Sequence, residues 1–257
     1  MKLAILGALP RELSYIIKNL GALKSPDEWP FPVYMSGECQ IETAIVQTGM
    51  GMARATAALK MVLSRFKPDC ILSTGFAGAL YQIASPGDLV RGTRFFLFPT
   101  AGELGSSSAC FMQSELKPDQ QLPGRLAERL YGMTSLREGS IITLQQPLKK
   151  SILRKGVPEE LPFPVCDMET FGLAGLSLES NIPFISVRSV SDVLDEEVPP
   201  ELIGVVGETG APNLGRLFSA ITTNPALVTD VLRLRRNSEA ASRNLGLFAE
   251  HFCRELS

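Results

Sequence analysis

The chain has 257 residues, of which 45% are hydrophobic, and its formal net charge is −2. This length and composition allow one sizeable buried core, so residues 1–257 are expected to form a single α/β domain. Nonspecific binding to nucleic acid needs a basic surplus that this chain lacks.

The cysteine and histidine content limits the chemistry further. The five cysteines are scattered without CxxC spacing, which disfavours disulfides and zinc sites and favours a reducing cytoplasm. The single histidine, His251, lies near the end of the chain, so neither a histidine base nor a multi-histidine metal site is expected. Acid–base chemistry falls to carboxyl groups, or to Lys, Tyr or Cys, and no metal or cofactor is predicted.

Short apolar runs followed by glycine-containing turns and helical periods dominate the first half of the chain. Residues 3–6 predict a buried strand, and Pro10 suits the first turn of the helix that follows. Residues 43–52 lead into a predicted helix over 53–66, and residues 69–80 repeat the strand-and-turn pattern.

The second half continues this alternation. Residues 140–144 and 184–192 predict strands, with a helix over 168–180 between them. The whole pattern predicts a three-layer α/β sandwich, in which helices flank a twisted, mostly parallel mixed sheet. Residues 195–215, rich in Pro, Gly and acids, predict a long loop, and residues 225–256 predict a C-terminal helical segment.

The C-terminal helical segment leaves two alternatives open. It carries the basic sequence RLRRNSEAASR beside an apolar stripe. A solvated helix packed on the domain is the favoured interpretation, and weak association with a membrane surface is the other. No stretch reaches the roughly 18 uninterrupted apolar residues of a membrane-spanning helix.

Acids follow three of the predicted strands. Glu12 follows the first, Glu169 follows a later apolar run, and Asp192 closes the strand over 184–192. Ligands of parallel sheets bind beyond the carboxyl ends of the strands, so we expect these carboxyl groups to converge on one rim. Each acid alone would suit a helix cap or a solvated surface. Arg188 could contact substrate, although a structural ion pair with an acid is slightly favoured.

Glycine-rich turns follow the predicted strands at Gly7, 49–51 and 75–78. The second turn, GMGMAR, puts Arg54 where a dinucleotide fingerprint has its third glycine, so NAD binding is disfavoured. Backbone N–H groups in such turns can bind sugar or phosphate oxygens. Glycines that only permit tight turns are the alternative.

The segment CDMETFGLAGLSLESNIPFISVRSVSD, residues 166–192, resembles the ribose- and base-binding segment of the purine nucleoside phosphorylase and nucleosidase superfamily. KLAILGALPREL, TGMGMARATAAL, KPDCILSTGFAGAL and SPGDLV extend the similarity over most of residues 1–192. Among hydrolases the chain resembles the methylthioadenosine/S-adenosylhomocysteine nucleosidases. Residues 198–241 instead resemble the hopanoid-associated branch, the proposed adenosylhopane nucleosidases or phosphorylases.

The resemblance implies a small-molecule purine nucleoside as substrate and a role for each candidate residue. Asp192 would protonate the leaving base at N7, as a carboxyl group that keeps its proton near neutral pH, and Ser191 would orient it. Glu169 would bind the ribose hydroxyls, with Met168 packed against the sugar. Glu12 would activate water on the opposite side, as in inverting glycoside hydrolysis.

Further positions match the family in part. Leu148 lies where the nucleosidases bind the adenine edge through backbone groups. Asp167 stands where many nucleosidases have the longer Glu, which puts a ribose contact there in question. Phe76 stands where both the nucleosidases and the phosphorylases commonly have a Ser. It would form an apolar wall for a bulky 5′ substituent, or it simply packs in the core.

Hydrolysis is favoured over phosphorolysis, because a phosphorylase would need the hydroxyl that Phe76 lacks and because Glu12 suits water activation. Gly7 and Arg11 nevertheless keep a spacing like the phosphate turn of the phosphorylases, so a phosphate-dependent phosphorylase is the alternative. A nucleoside-binding protein without turnover is a second alternative. The family resemblance also implies a homodimer. The identity of the substrate's 5′ group is not determined by the sequence.

Overall fold

The computed structural model describes residues 1–36, 41–98, 115–116, 136–194 and 227–256, together with 196, 199, 219 and 222–225. The strands are β1 (Lys2–Gly7), β2 (Leu23–Lys24), β3 (Val33–Ser36), β4 (Glu42–Gln47), β5 (Cys70–Ala79), β6 (Leu89–Leu97), β7 (Glu115–Leu116), β8 (Leu136–Thr143), β9 (Val165–Asp167) and β10 (Phe184–Asp192). The helices are α1 (Pro10–Asn19), α2 (Met52–Arg65), α3 (Lys150–Gly156), α4 (Thr170–Glu179) and α5 (Leu227–Leu256). The loop predicted over 195–215 lies, except for residues 196 and 199, outside the described residues.

All ten strands belong to one mixed sheet. Strand β1 pairs in parallel with β4 and β5, and β10 pairs in parallel with β5. β10 is also antiparallel to β6, β6 is parallel to β8, and β8 is parallel to β9. Because β9 returns antiparallel to β5, strands β5, β10, β6, β8 and β9 close into a ring. The mixed α/β sheet was predicted, whereas this closure was not.

Helices cover both faces of the sheet around β1. Ala4 and Leu6 point into a buried cluster that α2 and α4 complete, whereas Leu3 and Ile5 point into a second cluster with α1 and α5. Side chains alternate along a strand, so a strand buried on both faces is apolar at every position. The continuous apolar run of residues 3–6 therefore forms the buried strand that the sequence predicted.

Helix α5 packs along α1, and its apolar stripe is buried there with Leu245, Phe248 and Phe252 fully inside. Gly246 permits the close approach, since a Cβ atom at this position would lie 2.5 Å from Cβ of Tyr15. The structure thus shows a helix packed on the domain, and weak association with a membrane surface stays a prediction. Of the helices in the described part of the chain, none is long and apolar enough to cross a membrane.

Candidate active site

The first turn of α1 directs the Glu12 carboxyl group back over the end of β1. Its Oε2 accepts hydrogen bonds from the backbone N–H groups of Ala8, at 2.7 Å, and Leu9, at 2.8 Å. Its Oε1 accepts a third from the N–H of Phe76 at 2.8 Å. Burial raises the pKa of Glu12 above its ordinary value, although these hydrogen bonds and the charge of Arg188 oppose the shift. Glu12 is therefore a buried carboxyl group with a strengthened affinity for a proton.

Glu169 lies in the turn between β9 and α4, because α4 begins at Thr170 and not at Met168 as predicted. Its Oε1 accepts a hydrogen bond of 2.7 Å from the N–H of Gly51, whose φ of +93° is a conformation that glycine adopts without strain. Burial raises the pKa of Glu169 to about 8, and the negative charges of Asp167 and Glu12 add to the shift. The effect of the Glu12 charge on the pKa of Glu169 indicates that the two carboxyl groups lie near each other.

Asp167 and Arg188 form a buried ion pair. The Nε atom of Arg188 lies 2.9 Å from Oδ2 of Asp167, and their side chains are only 2% and 1% exposed. Thr143 donates to Oδ1 of Asp167 at 2.7 Å, and Nη2 of Arg188 donates to Oγ of Ser73 at 2.8 Å. Thr170 donates to Oδ2 of Asp167 as well. Both carboxylate oxygens therefore have partners within the fold. These contacts count against the ribose contact of Asp167, which the sequence had left in question, and support the ion-pair interpretation of Arg188.

Asp192 ends β10 as predicted, but its surroundings differ from those expected. The Ser191 hydroxyl donates to Oδ1 at 2.7 Å, and Nζ of Lys150 lies 2.6 Å from Oδ2. The sequence suggested an acid at the end of an apolar strand, whereas the structure pairs it with a buried ammonium group. Lys150 was missed because a lysine in PLKKS resembles any solvated residue at the start of a helix.

The side chains of Leu148 and Met168 share one apolar wall. Both pack, with Cys166, against a buried cluster that consists of Leu80, Phe96, Phe98, Ile142, Leu144, Leu153, Leu161 and Leu194. Because the cluster includes Leu194, which follows Asp192 closely in the chain, this wall continues towards the end of β10. The expected adenine contact at Leu148 and sugar contact at Met168 stay predictions.

The features that suggested phosphate binding serve other purposes in the structure. Nη2 of Arg11 donates to Oε2 of Glu239, at 3.0 Å, and to the carbonyl oxygen of Arg235, at 3.1 Å, so the guanidinium group is held on α5. A Cβ atom at Gly7 would lie 2.7 Å from Cδ2 of Leu13, which explains that glycine by packing. The side chain of Phe76 packs against the cluster between the sheet and α1 and α5. The contacts of Gly7 and Arg11 therefore count against the phosphate turn that the sequence offered as an alternative.

Strand β5 separates the two acids that were predicted to act on opposite sides of a substrate. A Cβ atom at Gly75 would lie 3.1 Å from Oε1 of Glu12, and one at Gly78 would lie 2.8 Å from Oδ2 of Asp192. Gly75 and Gly78 are three positions apart, which corresponds to roughly 10 Å of extended chain. Within the described residues, no three His, Cys, Asp or Glu side chains are grouped as a metal site would need.

Comparison with known proteins adds to this geometry. Residues 2–223 match the family model of the phosphorylase superfamily. A 5′-methylthioadenosine/S-adenosylhomocysteine nucleosidase of Maridesulfovibrio salexigens is 25% identical over 227 residues, which cover 84% of this chain and 96% of that protein. The structure of such a nucleosidase from S. pneumoniae with a transition-state inhibitor matches with a TM-score of 0.72, at 16% identity and over 100% of both chains. The futalosine hydrolase of Helicobacter pylori matches with a TM-score of 0.71, at 17% identity, over 98% of this chain and 97% of that one.

Proposed function

The chain belongs to the phosphorylase superfamily, and from this premise we propose that it is an adenine-type purine nucleosidase that cleaves the N-ribosidic bond of a 5′-modified adenosine with water. The sequence predicted an N-ribosyl hydrolase, and the relatives named above carry hydrolase names. The buried carboxyl groups on the site are the groups that such a reaction requires.

The observation that carries the proposal is the position of the Glu12 carboxyl group. The backbone N–H groups of Ala8, Leu9 and Phe76 all donate to the Glu12 carboxyl group. A carboxylate in this place repels a phosphate ion, and Arg11, the cation that would attract one, is held on α5. A carboxylate of raised pKa is also a better acceptor for a proton of water. These contacts favour hydrolysis over phosphorolysis.

The reaction follows from the separation of charges. When the bond between C1′ and N9 breaks, its electron pair goes to the purine and the ribose becomes cationic. Glu12 takes a proton from the water that attacks C1′, and the purine takes one at N7 from the side of Asp192. Glu169, with the Met168 side chain beside it, would bind the ribose hydroxyls from the turn before α4. Leu148 would bind the base through its backbone.

The substrate's 5′ group is the finer part of the proposal. Adenosylhopane, in hopanoid biosynthesis, is proposed because residues 198–241 resemble the hopanoid-associated branch. Only part of that segment belongs to the described residues, and the partly buried Phe76 side chain packs against the core. The support for a large apolar group is therefore the resemblance alone. A homodimer is retained as a prediction from the family resemblance, and a cytoplasmic location as a prediction from the cysteine pattern.

Product analysis tests the reaction. The protein is incubated with methylthioadenosine, S-adenosylhomocysteine, inosine and adenosylhopane, each with and without phosphate, and the products are separated by chromatography. Release of adenine together with the free sugar, at a rate independent of phosphate, is the expected result. Formation of the sugar 1-phosphate would instead establish the phosphorylase. Tight nucleoside binding with no release of base would establish the binding protein without turnover.

Substitution of Glu12 tests the proposed base. Glu12→Gln keeps the length of the side chain and one acceptor oxygen but cannot take a proton, so kcat should fall on the order of 100-fold to 10,000-fold. Glu42→Gln, at an exposed position of β4, is the matched control and should keep the wild-type rate. A Glu12→Gln protein that is folded and fully active would contradict the assignment.

A further inference from the structure

Lys150, the first residue of α3, is a buried lysine at the carboxyl end of β10. Its side chain is only 8% exposed, and its Nζ atom lies 2.6 Å from Oδ2 of Asp192. The same atom donates to the carbonyl oxygens of Asp192, at 3.1 Å, and of Val193. An ammonium group has three N–H donors, and here each has an acceptor. The Lys150 ammonium group is thus buried and fully hydrogen-bonded, unlike that of an ion pair on the surface.

This location is unfavourable for a lysine by local rules. Removing an ammonium group from water costs free energy unless excellent partners replace the water. The first turn of a helix also presents partly positive N–H groups, which disfavour a cation. The neighbouring Lys149, by contrast, is exposed. A residue that breaks local rules beside a proposed catalytic acid is typical of a functional position.

Strand β5 makes room for the pair at Gly78. A Cβ atom there would lie 2.8 Å from Oδ2 of Asp192, 3.1 Å from Sγ of Cys166 and 3.3 Å from Cε of Lys150. Side chains from α3, β9 and β10 therefore meet above one glycine. A larger residue in place of Gly78 would displace the Asp192 carboxyl group or the Lys150 side chain. The glycine is therefore needed for the contact between Lys150 and Asp192.

The contacts of Asp192 decide where a proton for the purine must come from. Ser191 donates to Oδ1 and Lys150 to Oδ2, so both carboxylate oxygens act as acceptors. The hydrogen atoms of both contacts therefore belong to the Ser191 hydroxyl and the Lys150 ammonium group. An alkylammonium group releases a proton much more readily than the hydroxyl of a serine does. Lys150 is thus the partner of Asp192 that can provide one.

We propose that Lys150 supplies, through Asp192, the proton that the leaving purine takes, an inference that rests on the nucleosidase function proposed above. As the bond between C1′ and N9 breaks, its electron pair passes to the purine. A proton moves from Nζ of Lys150 to the Asp192 carboxylate, and the resulting carboxyl group donates its proton to N7. Lys150 is left as a neutral amine, and it regains a proton from water after the base has left. Lys150 is accordingly a positioning and proton-supplying residue that acts through Asp192.

Two substrates separate this role from a merely structural one, in which Lys150 only ties α3 to the end of β10. Methylthioadenosine needs a proton on its leaving base, whereas the 4-nitrophenyl riboside with the same 5′ group releases nitrophenolate without one. For Lys150→Met, kcat with methylthioadenosine should fall on the order of 100-fold while KM stays close to that of the wild type. The rate with the nitrophenyl riboside should be retained, and Asp192→Asn should show the same pattern.

The same two assays provide a control variant and the results that would contradict the role of Lys150. Lys149→Met, at the exposed neighbour, should leave both rates unchanged. An unchanged rate of Lys150→Met with methylthioadenosine would overturn the proposal, and so would an equal loss with both substrates. Recovery of the wild-type rate in Lys150→Arg would overturn the proton transfer, because a guanidinium group keeps its proton in proteins. If the wild-type protein releases base from no nucleoside, the proposed function fails, and that result is obtained before any variant is made.

Discussion

Replacing Arg188 with methionine would leave the Asp167 carboxylate buried without its cation. The two side chains are 2% and 1% exposed, and the atoms Nε and Oδ2 lie 2.9 Å apart. Removal of one partner from a buried ion pair destabilises a protein by about 3–5 kcal/mol, since the remaining charge is neither solvated nor paired. The hydrogen bonds from Nη2 to Ser73 and Thr170 are lost as well. Methionine fills part of the space, so the lost charge dominates the effect.

Urea unfolding followed by circular dichroism measures this loss. At an unchanged m-value, the midpoint should move to a lower urea concentration. For a chain of this size, each kcal/mol lowers Tm by roughly 2–4 °C, so a decrease of about 6–20 °C is expected. Lys2→Met is the control, because Lys2 and Glu42 form an ion pair whose side chains are 43% and 51% exposed. Exposed pairs of this kind contribute about 1 kcal/mol or less.

The same variant distinguishes the structural role of Arg188 from a substrate contact. If Arg188→Met unfolds at the urea concentration of the wild type, the reasoning from the buried pair is refuted. If that stable variant also shows a large rise in KM for methylthioadenosine, a direct contact between Arg188 and substrate would replace it. A destabilised variant that keeps the KM of the wild type is the result expected here.

Two other substitutions test the site and the packing of α5. Burial raises the pKa of Glu169 from 4.5 to about 8, so the folded chain holds a proton that the unfolded chain loses between these values. This contribution to stability is fully present below pH 4.5 and is lost as the pH rises through about 8. In Glu169→Gln, the unfolding free energy should therefore decrease less between pH 4.5 and about 8 than it does in the wild type. If urea unfolding at several pH values gives the same decrease for both proteins, the raised pKa of Glu169 is contradicted. Gly246→Ala would place a Cβ atom 2.5 Å from Cβ of Tyr15 and should cost about 1–3 kcal/mol in thermal unfolding. A Tm equal to that of the wild type would show that α5 can move away from α1 without loss.

Local patterns were sufficient for much of the fold. The apolar run of β1, Pro10 at the start of α1 and the alternation through residues 166–192 predicted elements that the structure contains. These signals are local, because burial on one or both faces imposes a period on neighbouring residues. The closed ring of strands was not predicted. It depends on β9 pairing with β5 and on β10 pairing with β6, and such pairings between distant segments leave no period in the sequence.

The residues of the candidate site were likewise predicted only in part from the sequence. The sequence by itself determined the family resemblance and the acids that follow or end strands. In the structure the charge of Glu12 acts on Glu169, and Asp192 lies further along β5. Only the tertiary structure decided that Arg11 faces α5 and that Lys150 faces Asp192. The physical reason is that the type of a charged residue says nothing about its partner. Its partner is chosen by how α1, α3, α5 and β10 are packed around the sheet, and that packing is a property of the whole chain.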